Sequence, residues 1–397
     1  MADWYLPGFK AGGPVRTLSN LVDRLSSQFR FTVVTRDRDI GDSSAYPVAL
    51  PGQPVSIGHA AVHYLPPSAS LPLETVRRLA RMQYDLLYCN SMFSPAFSIA
   101  PAWARWLRLL PRTPLVLAPR GELGPAAMAG SAVRKRLLLH AARLLGVYRD
   151  VLWHATDEAE AAQIRSRFGV RARIVVVPNM GGAMADAASP AEAKRRDELR
   201  LLFVGRVSRM KNLLGALEIL KLHPGPATYD IYGPIEDHAY FARCQEAVAD
   251  LPPNVRVTFH GPIAHEHIAS LMSRYDLLFN PTLGENFGHV IVEALAAGLP
   301  VLISDRTPWR GLEEQNAGWD LPLEDPAAFN RVLAACAEMD DAAFSRLRLG
   351  ARTIGQAAVT DADLPRRSAE LFRLALADAW APPTDHGVAS AVSPARR

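Results

Sequence analysis

At 397 residues the chain can hold two α/β domains that each bury a core, and its three widely spaced cysteines, Cys89, Cys244 and Cys336, exclude a disulfide framework and a zinc pattern. It shows no signal peptide and no apolar stretch of about 18 residues, which excludes a membrane-spanning chain and leads to the expectation of a cytoplasmic protein. Charge is shared unevenly, with 22 Lys+Arg against 12 Asp+Glu (+10) in residues 1–180 and 22 against 28 (−6) in the remainder. A basic half attracts anionic lipid, a phosphorylated acceptor or nucleic acid, and the absence of helix-turn-helix, RNA-recognition and zinc patterns argues against the last.

The chain opens with Asp3-Trp-Tyr-Leu-Pro-Gly-Phe-Lys-Ala-Gly-Gly-Pro14, followed by apolar spacing that predicts a helix over 15–28. Gly12 and Gly13, at a loop entering a helix, let backbone approach a ligand and offer free amides, although a plain turn explains a lone Gly-Gly as well. A doubly wound domain starts with a strand, and only Met1-Ala2 precede this loop, so the first sheet is expected to lack much of a central strand. Strands are expected at 31–35, 61–65, 86–89, 115–118, 151–155 and 174–177. Their alternation with helical segments predicts parallel sheets with crossovers. Polar residues fall at strand ends: Asn90 and Ser91, then Arg120-Gly-Glu122, then Thr156-Asp157-Glu158. The last group reads as a helix N-cap with dipole-compensating acids, and His154 as a packed histidine. Arg120 could stabilise a departing phosphate or orient an acceptor, and Glu122 could cap a helix. Trp103-Ala-Arg-Trp-Leu-Arg108 and the segment 133–143 are basic and amphipathic, as in helices on a membrane surface, though ordinary surface helices look much the same.

Small residues at 181–190 and a charge run at 194–198 read as a surface linker. A strand over 199–204 leads into Gly205-Arg-Val-Ser-Arg-Met-Lys-Asn212 and a helix over 213–222. A glycine ending a strand, with Arg206 and Lys211 on the loop before a helix, suits a pyrophosphate; a solvated basic loop is the other reading. Strands at 229–232 and 255–259 end in the turns Gly233-Pro234 and Gly261-Pro262. On a helix over 265–272, His265 and His267 point to different sides, which argues against a metal pair. A strand over 276–280 then precedes the string LGENFGHVIVEALAAGLPV at 283–301. Glu285 falls on the strand-to-helix loop and Glu293 about two turns further on. The amides around Asn286, Phe287 and Gly288 lie near a helix N-terminus and favour an anionic or hydroxyl-rich ligand. Two accepting carboxylates suit a sugar and a ribose, while dipole compensation and a solvated face explain the pair equally well. Residues 382–397 are rich in Pro, Ala and Ser and read as a disordered tail.

The string from Glu285 to Val301 closely resembles the signature of the family 4 retaining glycosyltransferases, E-x-F-G-x-x-x-x-E-A-x-A-x-G-x-P-V, with no gap. Gly205 to Asn212 resembles the same family's G-R-x-x-x-x-K-(G/N) element. The resemblance implies the α/β GT-B fold, two Rossmann-like domains with parallel sheets facing across a cleft. It divides the chain into an acceptor-side domain (1–180), a linker (181–198), a nucleotide-sugar-binding domain (199–360), a helix returning to the first domain (361–381) and the tail. It implies that Arg206 and Lys211 hold a diphosphate, Glu285 the sugar hydroxyls and Glu293 the ribose. Gly205, Asn286, Phe287 and Gly288 would surround the donor, Gly12 and Gly13 would face its phosphates, and Gly261 would border the nucleobase. Many relatives place a histidine where this chain has Arg120, and a subset resembles its Pro-Arg-Gly form. Arg120 is therefore counted with Glu285, Arg206 and Lys211 as catalytic, and Asn90 and Ser91 are assigned to the acceptor.

The implied reaction moves a sugar, with retention at the anomeric carbon, from a UDP- or GDP-linked donor to a saccharide or lipid-linked acceptor in bacterial cell-surface polysaccharide synthesis. Departure and attack on one face, with the donor phosphate helping to deprotonate the acceptor, is the implied route. No Asp-x-Asp metal site lies on a suitable loop and cations already serve the leaving group, so neither metal nor cofactor is expected. Peripheral contact with an anionic membrane, on its inner face, is expected as well. A Rossmann dehydrogenase would need a G-x-G-x-x-G that is missing here. A non-catalytic sugar-nucleotide-binding homologue is the alternative.

Overall fold

Parallel strands can only be neighbours through crossovers, and this chain supplies one between nearly every pair. The computed structural model describes residues 1–124, 127–128, 132–182, 192–196 and 198–378. The first half runs α1 (Gly13–Leu25), β1 (Phe31–Arg36), β2 (Val55–Ile57), β3 (Ala60–Leu65), α2 (Leu71–Ala80), β4 (Leu87–Asn90), α3 (Ala100–Trp106), β5 (Leu115–Ala118), α4 (Ala132–Leu144), β6 (Val151–Ala155), α5 (Glu158–Phe168) and β7 (Arg173–Val176). The second runs β8 (Leu199–Val204), α6 (Leu213–Leu220), β9 (Ala227–Tyr232), α7 (His238–Ala249), β10 (Val255–Gly261), α8 (Ile268–Met272), β11 (Leu277–Asn280), α9 (His289–Ala297), β12 (Val301–Ser304), β13 (Gly318–Leu321), α10 (Pro326–Glu338) and α11 (Asp341–Thr360). A last helix, α12 (Asp363–Asp378), returns to the first half. Most of the expected linker and all of the expected tail lie outside the described residues.

The second sheet has the order β10-β9-β8-β11-β12-β13, parallel throughout, which is the doubly wound order 3-2-1-4-5-6. Helices cover both faces, so β11 and β12 are buried at every position and need no polar alternation. Phe203, Tyr229, Phe279 and Phe329 fill the core on one side. Helix starts carry aspartate caps: Asp237 accepts from the Tyr240 N–H at 2.9 Å, Asp325 from Ala328 at 3.0 Å and Asp340 from Ala343 at 2.7 Å. The winding reverses between β8 and β11, and the loops leaving those two strands open the crevice where such sheets hold ligands.

The first half has its sheet in two pieces, β1-β3-β2 with β2 antiparallel, and a parallel β4-β5-β6-β7. Residues 1–3 lie in the break between the two pieces and bond to both. Ala2 N–H donates to Val34 O (3.2 Å) and Arg36 N–H to Asp3 O (3.4 Å) on one side. On the other, the Met1 amino group donates to Tyr88 O (2.8 Å) and Asn90 N–H to Met1 O (3.0 Å). Trp153 stacks on Phe168 at 4.4 Å beneath this sheet.

Two stretches of chain join the halves, before β8 and between α11 and α12. They touch: a Cβ on Gly181 would stand 3.4 Å from Val359 Cγ2. Both are bonded to α1, through Asn20 Nδ2 to Met180 O (2.9 Å) and Arg24 Nη2 to Val359 O (3.1 Å). On the first half, α12 packs Phe372 edge-on to Phe29 and Tyr88. Strand and helix bounds fall within a few residues of expectation, except that 265–272 splits into a 3-10 turn (His265–His267) and the short α8. Three short strands, β2, β12 and β13, were not expected.

At Gly355, α11 presses on α9 so closely that a Cβ would stand 2.0 Å from the Ala296 nitrogen. Alanine usually gains about 1 kcal/mol over glycine inside a helix, but this clash is with backbone that cannot rotate away. Gly355→Ala is therefore expected to lose about 1–3 kcal/mol net in urea unfolding; a gain would show that the two helices separate without cost.

Candidate active site in the cleft between the halves

Loops at the carboxyl ends of strands in both halves converge on one cavity of about 860 Å³. In the second half, the loops after β8 and β11 form a single unit. Leu283 N–H and Thr282 Oγ1 both donate to Met210 O at 2.9 Å, and Asn212 Nδ2 donates to Pro281 O at 2.8 Å. This stitching brings Lys211 to Glu285, and the ammonium donates to Glu285 Oε1. Arg206, at the end of β8, donates to Glu236 Oε1 at 2.6 Å. Gly288 caps α9 in the left-handed region (φ 76), and the first amides of a helix have no intrahelical partner. Two cations and these amides at one helix start suit a diphosphate.

Glu293, on the second turn of α9, has no hydrogen-bonded cation. Its nearest ionisable groups are His265 Nδ1 at 3.6 Å and Arg16 Nε at 3.8 Å, the latter from α1 across the cleft. Burial pushes its carboxyl up to about 7 against the opposing pull of Arg16. Burial, then Arg16, lowers His265 to about 4. His267 is exposed, and no group of three metal-ligating side chains occurs among the described residues.

In the first half, Arg120 lines the cavity, yet its guanidinium is engaged by Asn90 Oδ1 (2.8 Å), Asn179 Oδ1 and the Tyr88 hydroxyl. Behind it, Tyr88 meets His154 Nδ1 at 2.9 Å, and His154 Nε2 meets Val177 O at 2.8 Å. The carbonyl can only accept, so Nε2 carries the proton and Nδ1 accepts from Tyr88. Burial and Arg120 lower this histidine to about 3, which fits a packed, neutral ring. Glu122 caps no helix; it accepts from the amides of Met92 (2.6 Å) and Phe93 (3.0 Å) and from Ser91 Oγ (3.0 Å), bracing the loop after β4. Asn90 and Ser91 accordingly lie behind Arg120 and Glu122 and do not line the cavity. Gly261 does not line it either. Its carbonyl accepts from Gly233 N–H at 2.8 Å, and the cavity wall passes to Pro262 and Ile263. Gly12, Gly13, Gly205, Asn286, Phe287 and Gly288 do line it.

Some contacts between the halves involve residues that the sequence did not single out, and others join residues it named for different reasons. Thr17 Oγ1 lies 2.7 Å from His289 Nε2. Thr156 Oγ1 donates to Asn286 Oδ1 at 2.9 Å, and Asn286 seats against Gly121, where a Cβ would stand 3.4 Å from its own. Asn286 thus turns its side chain to the first half. Only His289 carried a local signal, as the residue directly after Phe287-Gly288. Arg16, Thr17 and Glu236 carried none, and His265 stood out only beside His267 as a metal pair that the helical spacing argued against.

The sequence profile of the glycosyl transferases group 1 matches residues 185–344, and that of a glycosyl transferase 4-like domain matches residues 12–180. The chain is 34% identical over 167 residues to a D-inositol 3-phosphate glycosyltransferase of Nocardia farcinica, covering 38% of this chain and 37% of that protein. It is 29% identical over 229 residues to the protein so named in Streptomyces avermitilis, covering 52% and 48%. The chain thus spans only about a third to a half of these curated relatives. Sucrose-phosphate synthase from Thermosynechococcus elongatus superposes with TM-score 0.70 at 20% identity over 92% of this chain and 94% of that one. Anabaena HepE, solved with UDP and glucose, superposes with TM-score 0.68 at 20% identity over 94% and 100%. These likenesses bear out two Rossmann-like domains facing across a cleft, the GT-B fold.

The raised Glu293 carboxyl has a consequence for stability. Between its ordinary value of 4.5 and about 7, the folded chain holds a proton that the unfolded chain has lost. Stability from this group therefore falls as pH rises through that window, by on the order of 3 kcal/mol in all. Glu293→Gln should unfold at higher denaturant than wild type at pH 8, with the gap closing near pH 4.5. A gap that does not change with pH would show that the carboxyl titrates normally.

Proposed function

Because the chain belongs to the group 1 glycosyltransferases of family 4, we propose that it moves a sugar from a nucleoside-diphosphate sugar onto a hydroxyl of a saccharide or lipid-linked acceptor. The observation that carries this reading is the meeting of Lys211, Arg206, Glu285 and the free amides of α9 in one cavity walled on its other side by Gly12, Gly13 and Arg120. The leaving group is a diphosphate, so the main task is to stabilise its developing negative charge, which falls to Lys211, Arg206 and the amides. A diphosphate taking Lys211 frees Glu285 to accept from sugar hydroxyls, and an ionised Glu293 accepts from the ribose. Arg120, held by Asn90, Asn179 and Tyr88, faces the reacting end from the acceptor side. With cations already in place, transfer proceeds without a metal. It retains the anomeric configuration by attack on the face from which the diphosphate leaves, and the departing phosphate takes the acceptor's proton.

Residues 199–360 would then bind the donor and residues 1–180 the acceptor, with 181–198 as linker and 361–381 returning to the first domain. UDP is favoured over GDP because HepE, the same in fold, was solved with UDP and glucose. A phosphorylated or lipid-linked acceptor of cell-surface polysaccharide synthesis suits the excess of basic residues in 1–180. The outer face of α4 supports peripheral contact with an anionic membrane. Val133, Leu137 and Leu144 are 71%, 65% and 74% exposed on one stripe, which Arg134 borders on one side and Arg136 and Arg143 on the other. No helix among the described residues is long and apolar enough to cross a membrane.

Thermal-shift measurements with UDP, GDP and ADP, followed by transfer and hydrolysis assays with the matching nucleotide sugars, test the reading. Nucleotide binding without any turnover would instead support the non-catalytic homologue. Glu285→Gln should lower turnover by about 100-fold while moving unfolding by less than about 1 kcal/mol. Arg206→Ala should weaken UDP itself by about tenfold. Leu137→Asp should release the protein from vesicles containing anionic lipid and leave its affinity for UDP unchanged; vesicle binding equal to wild type would discard the membrane contact.

A further inference from the structure

His289 is the first residue of α9 and enters the cavity from the second half. Three neighbours hold its ring. Nε2 lies 2.7 Å from Thr17 Oγ1 on α1. The ring centroid is 4.8 Å from that of Phe287, in an edge-to-face arrangement. Its Cδ2 would be 3.3 Å from a Cβ on Gly13, so the ring sits against the glycine loop itself. The imidazole therefore bridges the Gly12–Gly13 loop of one half and the Glu285–Phe287 turn of the other. Burial, with Arg16, Arg120, Lys211 and His265 as the charged groups around it, keeps the ring neutral down to about 3. A neutral imidazole has two hydrogen-bonding nitrogens, and among the described residues only Nε2 has a partner. Nδ1 remains for whatever fills the cavity.

We infer that His289 positions the sugar of the donor, with Nδ1 hydrogen-bonded to a hydroxyl of the transferred sugar and Thr17 holding the ring's tautomer and tilt. The inference rests on the donor site proposed above and names a sugar contact within it. Ligand chemistry selects the sugar over the diphosphate. Phosphate oxygens are already served by Lys211, Arg206 and the α9 amides, whereas Glu285 offers the sugar only acceptors. A hydroxyl donates one hydrogen bond and accepts others, so a site built from a carboxylate alone leaves its lone pairs unserved. An Nδ1–H, with Nε2 accepting from the Thr17 hydroxyl, fills that gap. Because Thr17 belongs to the other half, the ring is set only when the two halves meet, which links sugar recognition to closure of the cleft.

The experiment separates sugar from nucleotide. Wild type, His289→Ala and His289→Asn are compared by calorimetry for UDP and for UDP-glucose, and by turnover of UDP-glucose; GDP and GDP-glucose replace them if thermal shift selects GDP. In His289→Ala, UDP affinity should stay within about twofold of wild type, while UDP-glucose affinity and turnover fall by about three- to tenfold, the loss of one hydrogen bond. His289→Asn, whose amide nitrogen can donate from near the Nδ1 position, should recover part of the loss. Adding Thr17→Val to His289→Ala should lower turnover no further, because the two residues act as one unit. Equal losses for UDP and UDP-glucose would assign the ring to the nucleotide, and unchanged UDP-glucose binding and turnover would leave it a packing residue. Either result overturns the inference. A wild type that binds UDP-glucose more tightly than UDP but turns nothing over sinks the proposed activity alone, because the affinity difference still reads the sugar contact. A wild type that binds neither sinks both.

Discussion

A cation waiting inside a cleft for a phosphate must be neutralised before the phosphate arrives, and much of this molecule follows from that requirement. Lys211 rests on Glu285 and Arg206 on Glu236. Leaving either cation bare in a partly desolvated cavity would be more costly than holding it in a pair that a ligand can replace. The Lys211–Glu285 pair also ties together two loops from different strands, already joined through Met210, so neutralising the charge and shaping the site are one arrangement. Glu293 shows the opposite case. Without a hydrogen-bonded cation, its burial dominates and the carboxyl holds its proton to about 7. The two glutamates of one signature therefore sit in different surroundings, Glu285 against the Lys211 ammonium and Glu293 buried without a hydrogen-bonded cation.

Sheet topology decides where these charges can meet. Reversal of winding between β8 and β11 directs their loops to the same crevice, and α9 begins at its edge with unpartnered amides. The helix is not free to drift, because Gly355 lets α11 lie against its backbone. In the first half, a buried chain from Val177 O through His154 and Tyr88 fixes Arg120 from behind. A residue held at every guanidinium nitrogen gains aim at the expense of reach.

What could be read from the sequence was whatever lay within one short segment. The strings at 205–212 and 285–301 each carry their cation, amides or acids at fixed spacing along one strand–loop–helix unit, so their shared site was visible without coordinates. Buried parallel strands such as β5 and β6 were equally visible, being continuously apolar. Pairs joining the halves were not. Thr17 and His289 are 272 residues apart, and neither residue has a local pattern that predicts the other. Depth was invisible as well. Asn90 and Ser91 sit at a strand end, where ligands are commonly held, but Arg120 and Glu122 stand in front of them. At Gly261 a register shift in β10 turns the glycine toward Gly233, leaving Pro262 and Ile263 on the cavity wall.

The two chain crossings between the halves touch at Gly181 and Val359, and α1 is fastened to both through Asn20 and Arg24. The same helix carries Arg16 and Thr17, which reach Glu293 and His289. From Arg24 to Thr17 is about 10 Å along the helix axis. Mechanically, α1 is a rigid rod with one end at the pivot and the other at the load. Any rotation about the touching crossings must swing its near end across the opening, so the state of the cleft is written into the angle of a single helix.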